Sequence, residues 1–570
     1  MLVVEPYQRK FVTKDFKAKT WEDIAPYAKD LEEREINTLE DYQKFLDDSD
    51  ELARVLSEDF ARRYIAMSSN TADKKAEEAY HYAIEHITPK ASELSNVINK
   101  KMVSSPFVDE VRDDGFELAI KGIRTETELF RDENIPLHTQ EEQAAAEYVK
   151  IIGAMTMTLD GETVTPQKAA DRLFWTDRAK REEAWKAISG RRYEDHEKID
   201  KIFDEIVGLR QNIAHNAGFE NYRDYMFKAK KRYDYTPEDC YTFHDAVEKA
   251  VVPVVAELTK ERIQDLGLEK LRPWDASVDT KGRQPLKAFE NADDLVEKSL
   301  RLYKDMDPLF HDTVQLMVDK KQLDLASRPN KSPAAYMYPL AETKVPFIFS
   351  NVTQKVNDVV TFVHEAGHAV HEISTHHLRL AMYGNNPSEV AELASMSMEL
   401  ITMDQWDIFF PKEEDLVRAK SEHIKQTFST LPGTMQVDAF QHEVYLKPEL
   451  SAQDRHKLWA WQLQRYSTGL VDWEGFSEWH ETSWQRVHHI FELPFYYIEY
   501  AMAQLGALQV WRNFKQDKKQ ALEMYKNALS LGYTKSIPEI YETAGIKFDF
   551  SAEMLQDLMG FVQKELKDLV

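Results

Sequence analysis

The residues best suited to chemistry are two histidines and a glutamate in the motif His364-Glu365-Ala366-Gly367-His368. The apolar residues around this motif recur every three or four positions, which predicts one helix; they are Val356, Val359, Val360, Val363, Val370 and Ile373. On a helix His364 and His368 lie one turn apart, so their imidazoles point to the same side and can share one tetrahedral zinc ion. Glu365 then lies about 100° round the helix, where a carboxylate can activate water as a general base.

A catalytic zinc ion needs a third protein ligand, because such sites use three side chains and keep one position open. Glu372 is excluded, since eight residues from His364 correspond to about 12 Å along a helix. The sequence also does not match the metzincins, which carry a glycine and then a third histidine after this motif. His371 stands at the glycine position and Ser374 at the position of the third histidine. The ligand must therefore come from another element.

A second helix supplies the candidate third ligand. It is predicted to begin after the turn at residues 384–388, and it carries Glu392 and Glu399 on one face. We assign Glu392 as the third ligand and Glu399 as a carboxylate that hydrogen-bonds a ligand histidine. Glu389 competes for the ligand role, although capping of the helix is its alternative. Gly367 between the histidines allows another element to pack closely, and Asn357 or Asp358 can cap the first helix.

The elements that position this motif are predicted to be mainly α-helical. Glycine accounts for only 18 of 570 residues, about 3%, whereas about 7% is typical and turn-rich β proteins need many glycines. Two segments break the helical pattern. Residues 155–165 alternate around Asp160-Gly161, which predicts a hairpin and a boundary between an N-terminal region, 1–165, and a catalytic region, 166–570. Residues 345–350 predict an edge strand of a short sheet, because Pro339 and Pro346 punctuate strand-forming residues.

Charge and composition exclude several classes of function. Lys and Arg total 73 and Asp and Glu total 99, which gives a formal net charge of −26. This acid excess argues against a nucleic-acid binder and against docking on an anionic membrane. Cys240 is the single cysteine, so disulfides and cysteine-only metal sites are excluded. We expect no signal peptide and no membrane-spanning helix, and hence a cytoplasmic protein.

At this point the sequence resembles the thimet oligopeptidase and oligoendopeptidase F family of zinc metallopeptidases, and within it the bacterial oligoendopeptidase branch. The resemblance rests on the His364–His368 motif, on Ala391-Glu-Leu-Ala-Ser-Met-Ser-Met-Glu399, and on Lys344-Val-Pro-Phe-Ile-Phe-Ser-Asn upstream. It extends from about residue 165 to 560. It implies an almost wholly helical, clam-like fold with a deep substrate channel, one wall of which is the N-terminal region. It also implies that short unfolded peptides, rather than folded proteins, are cleaved.

The family also carries a histidine and tyrosines that bind the substrate carbonyl and stabilise the oxyanion. The resemblance places these roles on His489 and Tyr500 first, then on Tyr497 and Tyr496. Helical spacing allows either Tyr497 with Tyr500 or Tyr496 with Tyr500 to share a face. The matching stretch, residues 488–500, lacks the glycines of the thimet-type loop.

The sequence therefore predicts a zinc oligoendopeptidase with one zinc ion per chain, acting on internal bonds of short peptides. Zinc is favoured over cobalt or manganese by the ligand types. A carboxypeptidase or dipeptidyl-carboxypeptidase of the same fold is the nearest alternative. A metal-free helical peptide-binding protein is the alternative of another class. The sequence leaves the oligomeric state open.

Overall fold

The structure is a computed structural model that describes residues 2–569. Helices account for 69% of the residues and the sheets are small, which confirms the mainly α prediction. The α-helices of the described residues, numbered in chain order, are α1 Trp21–Glu33, α2 Leu39–Ser69, α3 Lys74–Tyr82, α4 Thr88–Ser104, α5 Phe116–Leu129, α6 Ile135–Gly153, α7 Pro166–Ala170, α8 Arg178–Glu194, α9 His196–Asn216, α10 Tyr222–Ala229, α11 Pro237–Ala250, α12 Val252–Asp265, α13 Ala292–Met306, α14 Pro308–Asp319, α15 Val356–Ser374, α16 Ser388–Thr402, α17 Glu413–Ser429, α18 Leu431–Leu446, α19 Ala452–Tyr466, α20 Ser477–Glu481, α21 His488–Glu492, α22 Tyr497–Gln516, α23 Lys518–Ser530, α24 Ile537–Thr543 and α25 Ala552–Asp568. The strands are β1 Met157–Leu159, β2 Glu162–Val164, β3 Leu323–Ala326, β4 Tyr336–Tyr338 and β5 Phe347–Val352.

The chain divides into two compact units, each built from separate stretches of sequence. The first unit contains the residues up to Glu128, Leu286–Glu422 and Ala503–Phe548. The second contains Leu129–Pro285, His423–Met502 and the residues from Asp549 onward. The sequence predicts a boundary at residue 165 between an N-terminal region and a catalytic region. That boundary stays a prediction. No helix within residues 2–569 combines the length and the apolar character needed to cross a membrane.

The first unit contains the three-stranded sheet that precedes the histidine motif. β5 lies in its centre, parallel to β3 and antiparallel to β4. Phe347 and Phe349 of β5 pack with Leu340 and with Ala61 of α2. The prediction of an edge strand at 345–350 is therefore wrong. Pro346 lies just before β5, so its missing N–H falls outside the ladder and does not confine the strand to an edge.

The helix pair α15 and α16 follows this sheet. Asp358 caps the start of α15, where its carboxylate accepts hydrogen bonds from the backbone N–H groups of Lys355 (2.9 Å) and Thr353 (2.6 Å). Of the two predicted capping residues, Asp358 is the one that does so. A Cβ atom added at Gly367 would lie 2.7 Å from the Cα atom of Ser395. The absence of a side chain at Gly367 therefore allows α16 to pack directly against α15, as the sequence predicts.

The second unit contains the predicted hairpin and a group of packed helices. β1 and β2 pair antiparallel, with Leu159 opposite Glu162. Asp160 and Gly161 adopt φ values of 51° and 81° in the two-residue turn between them. Positive φ at both positions is what such a turn requires, so the hairpin prediction is confirmed. Among the helices, α6 packs against α9, and α11 packs against both α18 and α25.

Candidate metal centre

The two histidines of the motif and one glutamate of α16 come together in the first unit. His364, His368 and Glu392 each offer a donor atom, and these three atoms lie within 4.8 Å of one another. The Glu392 Oε2 atom lies 3.4 Å from His364 Nε2 and 3.8 Å from His368 Nε2. The two imidazole rings are 4.9 Å apart and nearly perpendicular. This arrangement follows from the i,i+4 spacing on α15 and from the close packing at Gly367.

The spacing of these donors fits a tetrahedral zinc ion. Zinc binds nitrogen and carboxylate oxygen at about 2.0–2.2 Å, so two ligands on a tetrahedron lie about 3.4 Å apart. The distances between Glu392 and the two histidines are close to that value. Two imidazole nitrogens and one carboxylate oxygen also form the donor set of many catalytic zinc sites. The residues present therefore fit the metal that the sequence predicts.

Two further side chains hold the donors in place. The Nδ1 atom of His364 lies 2.7 Å from Oε1 of Glu399, so this hydrogen bond leaves the Nε2 atom of His364 directed at Glu392. The buried hydroxyl of Ser395 lies 3.1 Å from both the Oε2 atom and the backbone carbonyl of Glu392. Ser395 was not among the predicted site residues, although its position three residues after Glu392 places it on the adjacent turn of α16.

Glu365 lies beside the three donors and not among them. Its side chain is buried, with the residue only 7% exposed, and the backbone N–H of Met337 in β4 lies near enough to its carboxylate to act against the rise of its pKa. Burial raises the pKa of Glu365 to about 7, a value at which a carboxylate can both accept and release a proton near neutral pH. The contact with Met337 could not be read from the sequence, because it joins a strand and a helix 28 residues apart.

The pKa values of His364 and His368 shift in opposite directions, although the two residues lie one turn apart. Burial lowers the pKa of His368 to about 4, and the neighbouring charge of His364 acts in the same direction. Burial also disfavours a charge on His364, but hydrogen bonds to Glu392 and Glu399 outweigh it and raise the pKa of that histidine. Burial would raise the pKa of Glu392, yet the same two histidines hold it below its usual value. Metal ligands must be neutral imidazole and ionised carboxylate, and His368 and Glu392 are already in those forms near neutral pH.

The structure also places the residues that compete with Glu392. The three-donor group contains Glu392 and not Glu389, whose buried backbone carbonyl accepts a hydrogen bond from the Tyr541 hydroxyl at 3.1 Å. Glu372 lies further along α15, 3.5 Å from the Nε2 atom of His376. Neither glutamate belongs to the group of donors described above.

The predicted oxyanion residues lie in the second unit and form one aromatic cluster. The ring of His489 lies 4.9 Å from that of Tyr497, 5.9 Å from Tyr496 and 6.3 Å from Tyr500. Tyr496 and Tyr500 are 5.0 Å apart. The structure thus brings all four side chains together and selects neither of the two predicted tyrosine pairs.

Buried polar contacts position this aromatic cluster. Arg210 of α9 is fully buried and donates hydrogen bonds to the backbone carbonyls of Ile490 (2.9 Å) and Phe491 (2.6 Å) in α21, and it pairs with Glu141 at 2.6 Å. The turn before Tyr496 has Phe495 at a φ of 62°, and the Phe495 N–H donates to Oε1 of Gln441 at 2.9 Å. These contacts fix both ends of the segment that carries the cluster.

Basic residues near the cluster are already paired. The Nζ atom of Lys230 lies 3.0 Å from Glu499, and Arg232 lies 2.9 Å from the same carboxylate oxygen. The basic run at residues 228–232 therefore contributes to the local packing of α22 in this unit.

Comparisons with known proteins identify the family of this chain. Two histidines and a carboxylate on two packed helices form a donor set that is typical of metallopeptidases. The model described as "Peptidase family M3" matches residues 175–560, and "Peptidase M3 N-terminal domain" matches residues 11–130. The chain belongs to peptidase family M3. Its relatives include proteins named oligoendopeptidase F or oligoendopeptidase F homolog.

The individual relatives are distant in sequence. Group B oligopeptidase PepB of Streptococcus agalactiae is 21% identical over 404 residues, 69% of this chain and 64% of the relative. Oligoendopeptidase F, plasmid, of Lactococcus lactis subsp. cremoris is 22% identical over 406 residues, 69% of this chain and 64% of the relative. The matched part thus spans less than two thirds of these relatives.

Solved structures match over almost the whole chain. The structure of "PZ peptidase A with inhibitor 2" has a TM-score of 0.88 at 25% identity and covers 98% of this chain and 99% of that one. Oligoendopeptidase-F from Enterococcus faecium has a TM-score of 0.64 at 16% identity over 96% of this chain and 97% of that one, which shows the shared fold.

Proposed function

We propose that the protein is a zinc-dependent oligoendopeptidase that hydrolyses internal bonds of short unfolded peptides. The observation that carries the proposal is the meeting of His364, His368 and Glu392 at the spacing of a tetrahedral metal, with the buried Glu365 beside them. One zinc ion at this site is the proposed catalytic cofactor. Glu399 is the proposed positioning residue for His364, because their hydrogen bond fixes the imidazole.

Glu365 is the proposed general base and acid. A zinc ion at this site, when bound, supplies a Lewis acid that polarises the scissile carbonyl and makes water easier to deprotonate. Glu365 takes a proton from the attacking water as the oxygen–carbon bond forms. It then gives that proton to the amide nitrogen as the carbon–nitrogen bond breaks, so the carboxylate is regenerated. A pKa of about 7 suits a group that must accept and release a proton in each cycle.

The proposed donors to the substrate carbonyl are His489 and Tyr500, followed by Tyr497 and Tyr496. This assignment rests on the family resemblance and on their clustering within the second unit. Burial lowers the pKa of His489 and raises that of Tyr497, which keeps both groups neutral, with a hydrogen available to donate. A single donor aimed at a developing oxyanion contributes about 3 kcal/mol to the lowering of the barrier.

We propose β4, and not the predicted edge strand β5, as the strand that binds the extended backbone of the substrate. Both edges of β5 are occupied by neighbouring strands, so β5 cannot accept a further strand. β4 is an outer strand of the described sheet, and the backbone N–H of its Met337 lies near Glu365. An extended peptide that pairs with this outer edge of β4 would present its backbone next to the general base.

The net charge and the cysteine content indicate the partners and the cellular compartment that we propose. The acidic net charge of −26 favours neither nucleic acid nor membrane as a partner, and short peptides are the proposed substrates. A single cysteine in 570 residues suits a reducing compartment, and we assign the protein to the cytoplasm.

Replacement of Glu365 by glutamine tests the proposed role. We expect Glu365→Gln to retain bound zinc and to lose turnover by about 10²–10⁴-fold, since only the proton transfer is removed. Glu372→Gln is the matched control, because it makes the same change on α15 outside the donor group; its turnover should equal that of the native protein. Appreciable turnover by a zinc-loaded Glu365→Gln variant would contradict the assignment.

A further inference from the structure

A second cluster of metal-binding side chains lies in the second unit, between α11 and α18. Cys240 and His244 are spaced i,i+4 on α11, and Asp438 and His442 are spaced i,i+4 on α18, so each pair shares one face of its helix. All four residues are inaccessible to solvent: Cys240, Asp438 and His442 are 0% exposed and His244 is 1% exposed. The two helices bring together residues that are about 200 positions apart in the sequence.

The hydrogen bonds within the cluster leave several donor atoms unused. The Nε2 atom of His244 lies 2.8 Å from Oδ2 of Asp438, and this contact orients the carboxylate. The Nε2 atom of His442 lies 3.2 Å from the same oxygen but lacks the direction of a hydrogen bond. Within residues 2–569, the Oδ1 atom of Asp438 and the Nδ1 and Nε2 atoms of His442 have no hydrogen-bond partner. Fully buried polar atoms without partners are rare and costly.

The positions of these atoms suit a single ion. One donor atom each from Cys240, Asp438 and His442 lie within 4.8 Å of one another. Around a tetrahedral zinc ion, sulfur and nitrogen ligands lie about 3.6 Å apart, so small movements of the side chains would bring all three to bonding distance. His244 would keep its contact with Oδ2 of Asp438, and the Oδ1 atom of the same carboxylate has no hydrogen-bond partner among the described residues.

The surroundings of the cluster favour a cation. Aromatic rings surround His442, with Tyr241 at 5.0 Å, Phe495 at 5.3 Å and Phe227 at 5.8 Å between ring centroids. A carboxylate in such an apolar place must be balanced by positive charge. A divalent ion bound to one thiolate and one carboxylate, with neutral imidazole as the third ligand, gives a site with no net charge.

We propose that Cys240, Asp438 and His442 bind a second divalent transition-metal ion, of the zinc class, with a structural role. The thiol of Cys240 loses its proton to solvent as the sulfur–metal bond forms, and the metal stays divalent throughout. The ion ties α11 to α18, and α18 also holds Phe495 through Gln441, the neighbour of His442. The second metal therefore stabilises α18. This helix in turn holds the segment that carries the aromatic cluster around His489. This site is separate from the donors on α15 and α16.

Cobalt in place of zinc distinguishes the two metal sites. Cys240 is the only cysteine, so a thiolate-to-cobalt absorption band in the near ultraviolet can arise only from the second site. The full chain is produced in cobalt-supplemented minimal medium, so that the buried site fills while the protein folds. We expect about two cobalt ions per chain, measured by elemental analysis, together with the thiolate band. One cobalt ion per chain and no thiolate band in the folded native protein would overturn the proposal.

Two variants assign each ion to its site. Cys240→Ser should hold about one cobalt ion and show no thiolate band, with helical circular dichroism confirming that it folds. The double variant His364→Ala, His368→Ala should also hold about one cobalt ion but keep the band. Loss of the band in this double variant, with folding intact, would contradict the separation of the two sites. Failure of the proposed peptidase activity would leave both cobalt results unchanged.

Discussion

Replacement of Gly367 by alanine tests how closely the metal ligands depend on the packing of α15 against α16. An added Cβ atom would lie 2.7 Å from the Cα atom of Ser395 and 3.0 Å from the carbonyl oxygen of Ala394. Both are backbone atoms and cannot rotate away. Ordinary contact begins at 3.4 Å, so α16 must move by about 0.7 Å at this point. Glu392 lies one turn before Ser395 on the same helix and moves with it.

The displacement of α16 should lower both the stability of the protein and its kcat/KM. Overpacking of this kind costs about 1–3 kcal/mol, and the better helix propensity of alanine offsets about 1 kcal/mol of it. A net loss of stability of up to about 2 kcal/mol should result. A shift of nearly 1 Å in a catalytic group costs about 10²-fold in rate, or about 2.7 kcal/mol. We therefore expect the loss in kcat/KM to exceed what the change in stability explains.

The assay compares Gly367→Ala with a matched control. Gly208 also lies inside a helix, α9, but among the described residues nothing lies within 4 Å of its added Cβ atom. Gly208→Ala should keep the native kcat/KM and gain up to about 1 kcal/mol of stability. Peptide hydrolysis, zinc affinity and thermal unfolding are measured for both. Native kcat/KM and native zinc affinity in Gly367→Ala would refute the argument that this contact positions Glu392.

Two further substitutions test the supporting contacts of each unit. Glu399→Ala removes the hydrogen bond to His364, so zinc affinity should fall by about 10–100-fold in competition with a chromophoric chelator, and unchanged affinity would contradict the role of Glu399. Arg210→Met leaves the carboxylate of Glu141 with only His138, at 3.6 Å, and removes the donor to two carbonyls of α21. The free energy of unfolding, measured by thermal unfolding, should fall by about 3–5 kcal/mol. Adding Glu141→Gln to this variant should recover part of the lost stability. A loss below about 1 kcal/mol in Arg210→Met alone would show that the Arg210–Glu141 pair contributes little to stability.

The features that the sequence predicted correctly depend on residues close together in the chain. The hairpin follows from Asp160 and Gly161, which accept positive φ and so determine the turn by themselves. The shared direction of His364 and His368 follows from helical spacing alone. The closeness of α15 to α16 was also predictable, because Gly367 stands between two candidate ligands and removes the side chain that would keep a neighbour away.

The features that the sequence did not predict depend on distant partners. β5 became central because β3 pairs with it in parallel, with Leu323 opposite Ile348, and nothing in the polar segment around β3 indicated this partner. Pro346 suggested an edge strand, but a proline just before a strand removes no ladder hydrogen bond. The cluster of Cys240 with Asp438 and His442 was equally hidden, because no short motif joins residues on two distant helices.

The most direct test of the central claim is the cleavage of a peptide of about ten residues with both ends blocked. The native protein, the protein treated with a chelator and the protein restored with zinc are compared, and the product masses are recorded. We predict internal cleavage by the native protein, its loss with the chelator and its return with zinc. Cleavage that survives removal of the metal would contradict the role of His364, His368 and Glu392 as ligands of a catalytic ion. No cleavage of the blocked peptide by a zinc-loaded protein would contradict the endopeptidase assignment and favour removal of residues from a free terminus.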